Sequence, residues 1–293
     1  MTAIPAMHFE FKPDFPDRIR CAGEALRNAD DILIGGGAGL SDAAGLHYSG
    51  RRFTDNFAPF IAKYGFEDLY SSSFFHFDSS EEKWAYWAKH ISLNRYQESA
   101  TVLYRNLLHL VNGKRYFVLT TNVDHQFRKA GFPEDKVFSI QGDYGYFQCA
   151  MGCHNTLYDN ETRIAGMLRR MEDCRVPSEL VPRCPVCNGE MDVNVYKDPY
   201  FVRDARWHDS QRRYLEFIRA CARGKVVFLE LGVGFNTPGI IRFPFEALVH
   251  ANPNAVLIRV NRDHPRGLPE IKNRTIAFTE DMAHVVRAIQ EQP

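Results

Sequence analysis

A short apolar strand that runs into a glycine-rich loop constrains the fold of this chain more than any other feature. Residues 31–34 (Asp-Ile-Leu-Ile) have the character of a buried strand, residues 35–39 read Gly-Gly-Gly-Ala-Gly, and the stretch 35–49 precedes a segment that can open a helix. Glycines let the backbone approach a ligand closely, and a helix N-terminus offers free N–H groups to a phosphate. The pattern therefore predicts a dinucleotide site. An ordinary strand-to-helix turn is the alternative, because the spacing is not G-x-G-x-x-G.

The composition limits the fold and the partners. The 293 residues can form one large domain or one domain with a smaller module, and 45% of them are hydrophobic, as in ordinary globular proteins. The formal net charge is zero, which gives no electrostatic support for binding nucleic acid. No apolar run reaches the length of about 18 residues that a membrane span needs. Residues 1–16 lack the apolar core of a signal peptide, so we expect no membrane partner and a cytoplasmic location.

Apolar strands alternate with helical patterns along most of the chain. Further buried strands are predicted at 116–120, 137–140, 226–231 and 255–260, and helices at 17–29, 81–96, 101–111, 161–171, 245–251 and from Thr279 onward. This alternation predicts an α/β fold with a Rossmann-like, doubly wound parallel sheet. We assign that domain to residues 1–145 and 222–293, with a helical insertion at about 54–113.

Four cysteines are spaced in the manner of a structural metal site. They lie at Cys149, Cys153, Cys184 and Cys187. Zn²⁺ prefers four soft ligands in a tetrahedron, and a site without an open position is structural rather than catalytic. We therefore predict a small zinc-ribbon module at residues 146–221. Free buried cysteines are the alternative, and either His154 or Cys174 could replace Cys153 as a ligand.

A polar cluster is predicted where the strand at 116–120 ends. Asn122 and Asp124 follow that strand directly, and Gln141 follows the next strand along the chain. The carboxyl ends of neighbouring parallel strands share one edge of a sheet, where ligands bind in such folds. We therefore expect the three side chains to lie beside the glycine loop. Helix capping is the alternative role for Asn122 and Asp124.

Taken together, these motifs resemble those of the sirtuins over nearly the whole chain. Residues 37–41 (Gly-Ala-Gly-Leu-Ser) match the sirtuin G-A-G-[IL]-S loop, and residues 121–124 (Thr-Asn-Val-Asp) match [TQ]-N-[IV]-D. The C-P-x-C-x-G knuckle at 184–189 matches as well. Residues 232–238 resemble the G-T-S-x-x-x-P loop, and residues 260–261 resemble the I-N pair.

The resemblance implies that NAD binds between a large Rossmann-like domain and a small zinc domain. It implies cleavage of the bond from nicotinamide to ribose and transfer of the ADP-ribosyl unit. As catalytic residues, Asn122 would position the ribose and a water, Asp124 would stabilise positive charge or act as the base, and Gln141 would bind a ribose hydroxyl. The residues implied in cofactor binding are these three with Gly37, Ala38, Gly39, Ser41, Asp42, Tyr48, Gly232, Val233, Gly234, Asn236, Asn261, Arg262 and Asp281.

Three departures from the sirtuin deacylases bear on the reaction. Gln141 stands in place of the histidine of their H-G motif, which acts there as a general base, and an amide cannot take up that proton near neutral pH. Residues 195–199 replace their F-G-E turn, and residues 47–53 replace their P-x-F-R-G segment. In these departures the chain is similar to the class M, or macrodomain-linked, sirtuins, which are implicated in protein mono-ADP-ribosylation.

The class M resemblance implies a function and two partners. The function is NAD-dependent mono-ADP-ribosylation of a lipoylated glycine cleavage H-like carrier protein, and the second partner is an operon-linked macrodomain protein. Arg51, Arg52, Arg203 and Arg206 can bind an acidic carrier, with a solvated basic face as the alternative. The competing interpretations are an NAD-dependent deacylase, an NAD glycohydrolase, and a weak sensor that binds NAD or ADP-ribose.

Overall fold

The computed structural model describes residues 14–292, so most of the segment predicted to lack a signal-peptide core lies outside the described residues. Within this range, nine strands form two sheets. The strands are β1 (Asp31–Gly36), β2 (Arg115–Thr120), β3 (Val137–Ser139), β4 (Gly142–Cys149), β5 (Tyr158–Asp159), β6 (Met191–Val195), β7 (Val226–Leu231), β8 (Val256–Val260) and β9 (Thr275–Phe278). The large sheet is parallel throughout and has the order β3-β2-β1-β7-β8-β9, and the small antiparallel sheet has the order β5-β4-β6.

Helices connect the strands and cover both faces of the large sheet. They are α1 (Phe15–Asn28), α2 (Ala38–Ala43), α3 (Arg51–Tyr64), α4 (Leu69–Ser72), α5 (Ser80–Ile91), α6 (Val102–Leu110), α7 (Gln126–Lys129), α8 (Glu161–Arg170), α9 (Ala205–Cys221), α10 (Arg242–Ala251) and α11 (Met282–Gln290). A π-helical turn at Ser92–Tyr96 extends α5, and 3₁₀ turns lie at Glu134–Lys136, Ser178–Leu180 and Pro269–Arg274. No helix in the described part of the chain has the length and hydropathy that a membrane crossing requires.

The central strand β1 shows why the sheet is covered on both sides. Each of its six residues is buried, as a strand between two helical layers requires. Ile32 and Ile34 pack into the layer formed by α1, α6 and α11, whereas Leu33 packs against α9 and α10. Successive side chains of a strand point to opposite faces, so one apolar run fills two cores. The predicted doubly wound parallel sheet is confirmed.

A separate core joins the helical insertion to the cysteine module. Trp84 of α5 meets Phe147 of β4 edge to face, with 4.8 Å between ring centroids. Phe57 of α3 and Met191 of β6 belong to the same buried cluster. The helical insertion and the cysteine module, which are separate in sequence, therefore share one hydrophobic core. Helix α9 instead packs on that sheet, where Trp207 lies against Phe138.

The last helix begins at Met282, three residues later than the sequence predicts. The carboxylate of Asp281 accepts a hydrogen bond from the N–H of His284 at 2.8 Å and caps the helix. Glu280 lies outside the helix and forms an ion pair with Arg18 at 2.5 Å. The prediction that acidic residues fill the first turn was wrong because the aspartate serves as the cap.

The loops after β1 and β7 are in direct backbone contact. The N–H of Gly39 donates to the carbonyl oxygen of Gly232 at 2.9 Å, and the N–H of Gly37 donates to that of Leu231 at 3.0 Å. A Cβ on Gly232 would lie 2.3 Å from the backbone nitrogen of Leu40, and the φ angle of Gly232 is +61°. An L side chain fits neither this space nor this conformation, so glycine is required for the two loops to meet.

We expect Gly232→Ala to lower the free energy of unfolding by about 3 kcal/mol or more, because the methyl group would strike backbone atoms at a positive φ. Gly234→Ala is the matched control, because a Cβ there meets no atom within 4 Å. The control should change stability by less than about 1 kcal/mol. Urea unfolding of the two variants measures both values, and equal losses would contradict the importance of the contact.

Candidate active site

The loops that follow β1, β2, β7 and β8 meet at the carboxyl edge of the large sheet. Gly36 pairs with Thr120 of β2 and with Leu231 of β7, so three strands end at one level. The side-chain amide of Asn261, after β8, donates to the carbonyl oxygen of Val233 at 2.8 Å. These bonds gather the predicted glycine loop and the predicted polar residues at one edge of the fold.

Asn122 is held by its amide nitrogen. Its Nδ2 lies 2.9 Å from the carbonyl oxygen of Gly37, 3.0 Å from the hydroxyl of Ser41 and 3.2 Å from that of Tyr104. Its backbone N–H donates to the hydroxyl of Thr120 at 3.0 Å. The carbonyl oxygen Oδ1 accepts no hydrogen bond from any residue in the described range. The amide of Asn122 is therefore fixed in place with its Oδ1 still able to accept a hydrogen bond.

Asp124 is buried beside Asn122. One carboxylate oxygen accepts a short hydrogen bond from the hydroxyl of Ser41, and the other accepts from the N–H of Gln126 at 3.0 Å. Burial raises the pKa of Asp124, while these two hydrogen bonds act in the opposite direction. The second bond resembles a helix cap, so the predicted alternative describes part of its role. Each oxygen retains a lone pair for a further donor.

Tyr104 is a member of this cluster that the sequence analysis missed. It belongs to α6 and is fully buried, and its hydroxyl lies 3.0 Å from that of Ser41. In the sequence, Tyr104 is one of several apolar or aromatic residues along a helix, where core packing is the common role. No spacing rule distinguishes a tyrosine whose hydroxyl reaches a serine 63 residues away in the chain.

A second pairing missed in the sequence lies next to Asp124. His125 has a left-handed backbone, with φ at +68°, and its Nδ1 lies 2.5 Å from a carboxylate oxygen of Asp143. The other oxygen of Asp143 accepts from Nε of Arg95 at 2.9 Å. Burial alone would raise the pKa of Asp143, but His125 and Arg95 hold that pKa at about 2. This anchor fixes the start of β4, and with it the position of Gln141.

Gln141 lies at the turn between β3 and β4. Its carbonyl oxygen accepts from the N–H of Tyr196 at 2.9 Å, and the following Gly142 approaches β6 so closely that a Cβ would lie 2.1 Å from the carbonyl oxygen of Asn194. The side chain of Gln141 is half-buried, and it makes no hydrogen bond to any residue of the described chain. The backbone is therefore fixed while the amide is available to a ligand.

The remaining predicted cofactor residues lie farther out along the same edge. Asn261 accepts the N–H of His264 at 2.9 Å in addition to its bond to Val233, and so shapes the loop after β8. The exposed members of the set are Ala38, Asp42, Gly234, Asn236, Arg262 and Asp281. The ion pair with Asp263, at 3.1 Å, raises the pKa of Arg262.

Two of the four arginines predicted to contact a carrier are engaged within the chain. Arg52 donates to the side-chain oxygen of Asn94 at 2.9 Å and to the carbonyl oxygen of Leu93 at 3.0 Å. Arg206 pairs with Asp204 at 2.8 Å. Arg52 therefore has a structural role. Arg51, Arg203 and Arg206 are exposed, and of these Arg206 is held in the ion pair with Asp204.

The four predicted cysteines come together in the small sheet. The Sγ atoms of Cys149 and Cys187 are 3.7 Å apart, as are those of Cys153 and Cys184, and all four lie within 4.8 Å of one another. A disulfide would place two sulfurs at roughly 2 Å, whereas four thiolates around Zn²⁺ at 2.3 Å are separated by roughly 3.8 Å. The donor set and its spacing fit a zinc ion.

The two alternative ligands do not join the cysteine cluster in the described chain. His154 lies beside it, with Nδ1 3.1 Å from the Sγ of Cys153 and Nε2 2.8 Å from the hydroxyl of Tyr158. Cys174 is buried in the hydrophobic core that α5 shares with the small sheet. The cluster therefore favours Cys153 as the fourth ligand.

Comparison with known proteins gives both relatives and a fold. No protein-family model matches the chain. The chain is 38% identical over 263 residues to the protein ADP-ribosyltransferase of Staphylococcus aureus (strain Mu50), with 89% of this chain and 84% of that protein covered. It is 33% identical over 254 residues to a probable bifunctional ADP-ribose hydrolase/ADP-ribosyltransferase of Fusarium oxysporum f. sp. cubense, with 82% of this chain and 41% of the fungal protein covered.

A solved structure of a Sir2 protein with a p53 peptide and NAD⁺ has the same fold. The TM-score is 0.57 at 17% identity, and the match covers 93% of this chain and 97% of that one. At this identity the likeness concerns the fold alone. It agrees with the parallel sheet and the smaller cysteine-bearing unit described above.

We expect about one zinc ion per chain, and we expect Cys184→Ser to remove most of it, because a tetrahedral site loses one of four ligands. Cys174→Ser is the matched control, since this cysteine is buried outside the cluster. Atomic emission spectrometry of the purified variants measures the metal content. Full zinc in the Cys184 variant, or its loss from the Cys174 variant, would contradict the assignment.

Proposed function

Because the chain belongs to the same family as the staphylococcal protein ADP-ribosyltransferase and has the Sir2 fold, we propose that it transfers a single ADP-ribosyl unit from NAD to a protein and releases nicotinamide. The relatives support an NAD-dependent enzyme. The observation that carries the choice of transfer over deacylation is Gln141, whose free amide occupies the position at which the deacylases have a base.

The carboxyl edge offers suitable groups to a pyridine dinucleotide. The segment at 35–39 carries no side chain larger than the methyl group of Ala38, so a pyrophosphate can approach its backbone closely. The loops after β7 and β8 would hold the adenosine half, with Asn236 and Arg262 exposed toward it. The nicotinamide half would lie beside Asp124, where the fixed acceptors are concentrated.

The residues around Asp124 suit the cleavage of a glycosidic bond. When the bond from ribose to nicotinamide breaks, its electron pair goes to the ring nitrogen and positive charge develops on the ribose. The Asp124 carboxylate, oriented by Ser41, stabilises that charge, and the free Oδ1 of Asn122 accepts from a ribose hydroxyl or a water. The incoming nucleophile bonds to the ribose carbon, and its proton passes to Asp124.

Gln141 fits transfer better than deacylation. Its amide can orient a ribose hydroxyl by hydrogen bonding but cannot take a proton from it. Deacylation in the related enzymes needs that proton removed, whereas attack by an external nucleophile on the ribose carbon does not. The cysteine cluster would hold structural Zn²⁺ and keep the small sheet and the β4 turn in place, apart from the chemistry.

We propose a lipoylated glycine cleavage H-like carrier protein as the acceptor and a macrodomain protein as the enzyme that reverses the modification. The fungal relative supports the second partner, because its name joins an ADP-ribose hydrolase to an ADP-ribosyltransferase in one protein. Arg51 and Arg203 are exposed and available to an acidic carrier.

Incubation with NAD labelled in the adenosine half tests this function, with lipoylated carrier, unlipoylated carrier and an acyl-lysine peptide as acceptors. We expect nicotinamide release and label on the lipoylated carrier. Asn122→Ala should reduce the rate about 100-fold, because it removes both the acceptor and the bonds that orient it. Gln141→Ala should reduce the rate about tenfold or more, through one lost hydrogen bond to the ribose. Asn273→Ala, at an exposed position away from the site, should have no effect.

The alternative functions give different products. An acylated ADP-ribose without protein label would identify a deacylase and overturn the proposal. Nicotinamide release with free ADP-ribose would identify a glycohydrolase. NAD binding without nicotinamide release would identify a sensor.

A further inference from the structure

Four charged side chains are buried together at the carboxyl ends of β7 and β8. They are Glu230 of β7, Arg259 of β8, and Arg242 and Glu246 of α10, and none is more than 5% exposed. Arg259 lies 2.8 Å from each of the two carboxylates, and Arg242 lies 3.6 Å from Glu230 and 4.0 Å from Glu246. We call these four residues the buried charge cluster.

The buried charge cluster is not explained by the stability of the sheet. Glu230 and Arg259 are register partners, and each lies one residue before the end of a strand that is otherwise apolar. Taking charges out of water is costly, and apolar side chains of similar volume often stabilise a fold as well as a buried ion pair does. What the cluster adds to the fold therefore lies in the donors that its carboxylates do not use.

Those donors hold the loop after β8. Nη2 of Arg242 donates to the carbonyl oxygens of His264 at 3.1 Å and Arg266 at 2.7 Å, and Nη1 of Arg259 donates to that of Arg266 at 2.7 Å. Hydrogen bonds from a charged donor are roughly twice as strong as neutral ones. The irregular segment 261–268 is therefore fastened to the buried charge cluster by its backbone.

Arg242 also contacts the loop after β7. Its guanidinium carbon lies 4.6 Å from the ring centroid of Phe235, which is a cation–π contact. The same ring meets that of His264 edge to face, with 4.8 Å between centroids. Because the side chain of Phe235 is 51% exposed, burial alone does not fix it, and these two contacts hold it in place.

The loops after β7 and β8 are thus joined at two places. One link is the contact of Arg242 with Phe235 and with the carbonyl oxygen of His264. The other is Asn261, which donates to the carbonyl oxygen of Val233 and accepts from the N–H of His264. Arg242 is only 4% exposed, so it can influence a ligand only through the groups that it holds.

We propose that Arg242 is a positioning residue for the adenosine half of NAD, because it holds Phe235 and the segment 261–268 together before the ligand binds. The inference rests on the proposed function in that NAD is the ligand and these loops hold its adenosine half. A loop that is already ordered loses less conformational freedom on binding than one that the ligand must order. Loosening the link should therefore weaken binding of the adenosine half alone.

Titration calorimetry with ADP-ribose tests the proposal without requiring turnover. Arg242→Lys keeps the buried positive charge, but lysine lacks the planar fork that bonds two carbonyl oxygens and stacks on a ring. We expect ADP-ribose to bind about tenfold more weakly to this variant. Nicotinamide mononucleotide, which lacks the adenosine half, should bind as it does to the wild-type protein. An equal loss for both ligands, or no loss for ADP-ribose, would overturn the proposal.

Arg274→Lys is the matched control. Arg274 also donates to backbone carbonyl oxygens, those of Val249 and Asn252, but at the end of α10 opposite Arg242. A merely structural role of such an arginine would lower stability and leave the affinity for ADP-ribose unchanged. We expect that result for the control. A tenfold loss of affinity in the control as well would overturn the special role of Arg242.

Hydrogen exchange measures the link without any ligand. The N–H groups of Asp263 and His264 donate to Oδ1 of Asn261 at 3.2 Å and 2.9 Å. We expect Arg242→Lys to speed exchange of these amides about tenfold, because the loop opens locally more often, and Arg274→Lys to leave it unchanged. Unchanged exchange in Arg242→Lys would contradict the link.

Phe235→Leu covers the case in which Arg242→Lys does not fold, since this side chain is exposed and the buried charge cluster stays intact. We expect about threefold weaker binding of ADP-ribose together with faster exchange in the segment 261–268. Weaker binding without faster exchange would mean that the ring contacts the ligand directly, and it would overturn the proposal.

Failure of this inference and failure of the proposed function give different results. Binding of ADP-ribose with the expected loss in Arg242→Lys, but without ADP-ribosyl transfer by the wild-type protein, would refute the proposed function and leave this inference standing. Transfer by the wild-type protein, with unchanged ADP-ribose affinity in Arg242→Lys, would do the reverse.

Discussion

The backbone of Gly39 meets that of Gly232 at 2.9 Å, in a space that admits no side chain at either position. The loops that follow the neighbouring strands β1 and β7 are thereby in contact. The contact fixes the start of α2, and so the position of Ser41, whose hydroxyl orients Asp124 and meets Asn122. The loops after β1, β2 and β7 are far apart in sequence. They converge because the contact between Gly39 and Gly232 fixes the position of the loop after β1.

The second core supplies the other wall of the site. Its aromatic rings pack α3 and α5 against the small sheet, and the same packing buries His90 and the tyrosines around it. Buried polar groups are costly unless they are hydrogen-bonded, and here the hydroxyls of Tyr86 and Tyr144 lie 3.1 Å and 2.9 Å from the two ring nitrogens of His90. Burial in this core lowers the pKa of His90 to about 3 and so keeps its imidazole neutral.

The strands, the glycine loop and the cysteine cluster could be predicted because each has a local signature. Apolar runs such as 226–231 mark parallel strands, and the cysteine spacing marks a metal site. The cluster favours Cys153 over Cys174 as the fourth ligand, a choice that the spacing alone left open. The predicted start of the last helix, at Thr279, was wrong because an aspartate is common both at the N-cap and in the first turn. Asp281 is the N-cap, so the helix begins at Met282.

Tyr104, His90 and Asp143 could not be predicted, because their roles depend on contacts across many residues of chain. Tyr104 and His90 lie in helical segments whose pattern indicates core packing, Asp143 follows a predicted strand, and all three side chains are buried. Only the fold shows the partners of their polar atoms, which are Ser41 for Tyr104, Tyr144 for His90 and His125 for Asp143. Arg52 illustrates the converse: an apparent surface charge is occupied by Asn94 and by the backbone of Leu93.

Gln141 differs from Ser41, Asn122 and Asp124 in that its side chain has no hydrogen-bond partner within the described chain. Replacing Asn122 or Ser41 would orphan buried groups and cost about 1–3 kcal/mol for each one left unpaired. Replacing Gln141 removes no such bond, because Gly142 and the Asp143 anchor fix the backbone there independently. In the proposed reaction, the network of Ser41, Asn122 and Asp124 does not depend on residue 141, whereas Gln141 contributes an amide that cannot take up a proton. An amide can therefore stand at this position without disturbing that network.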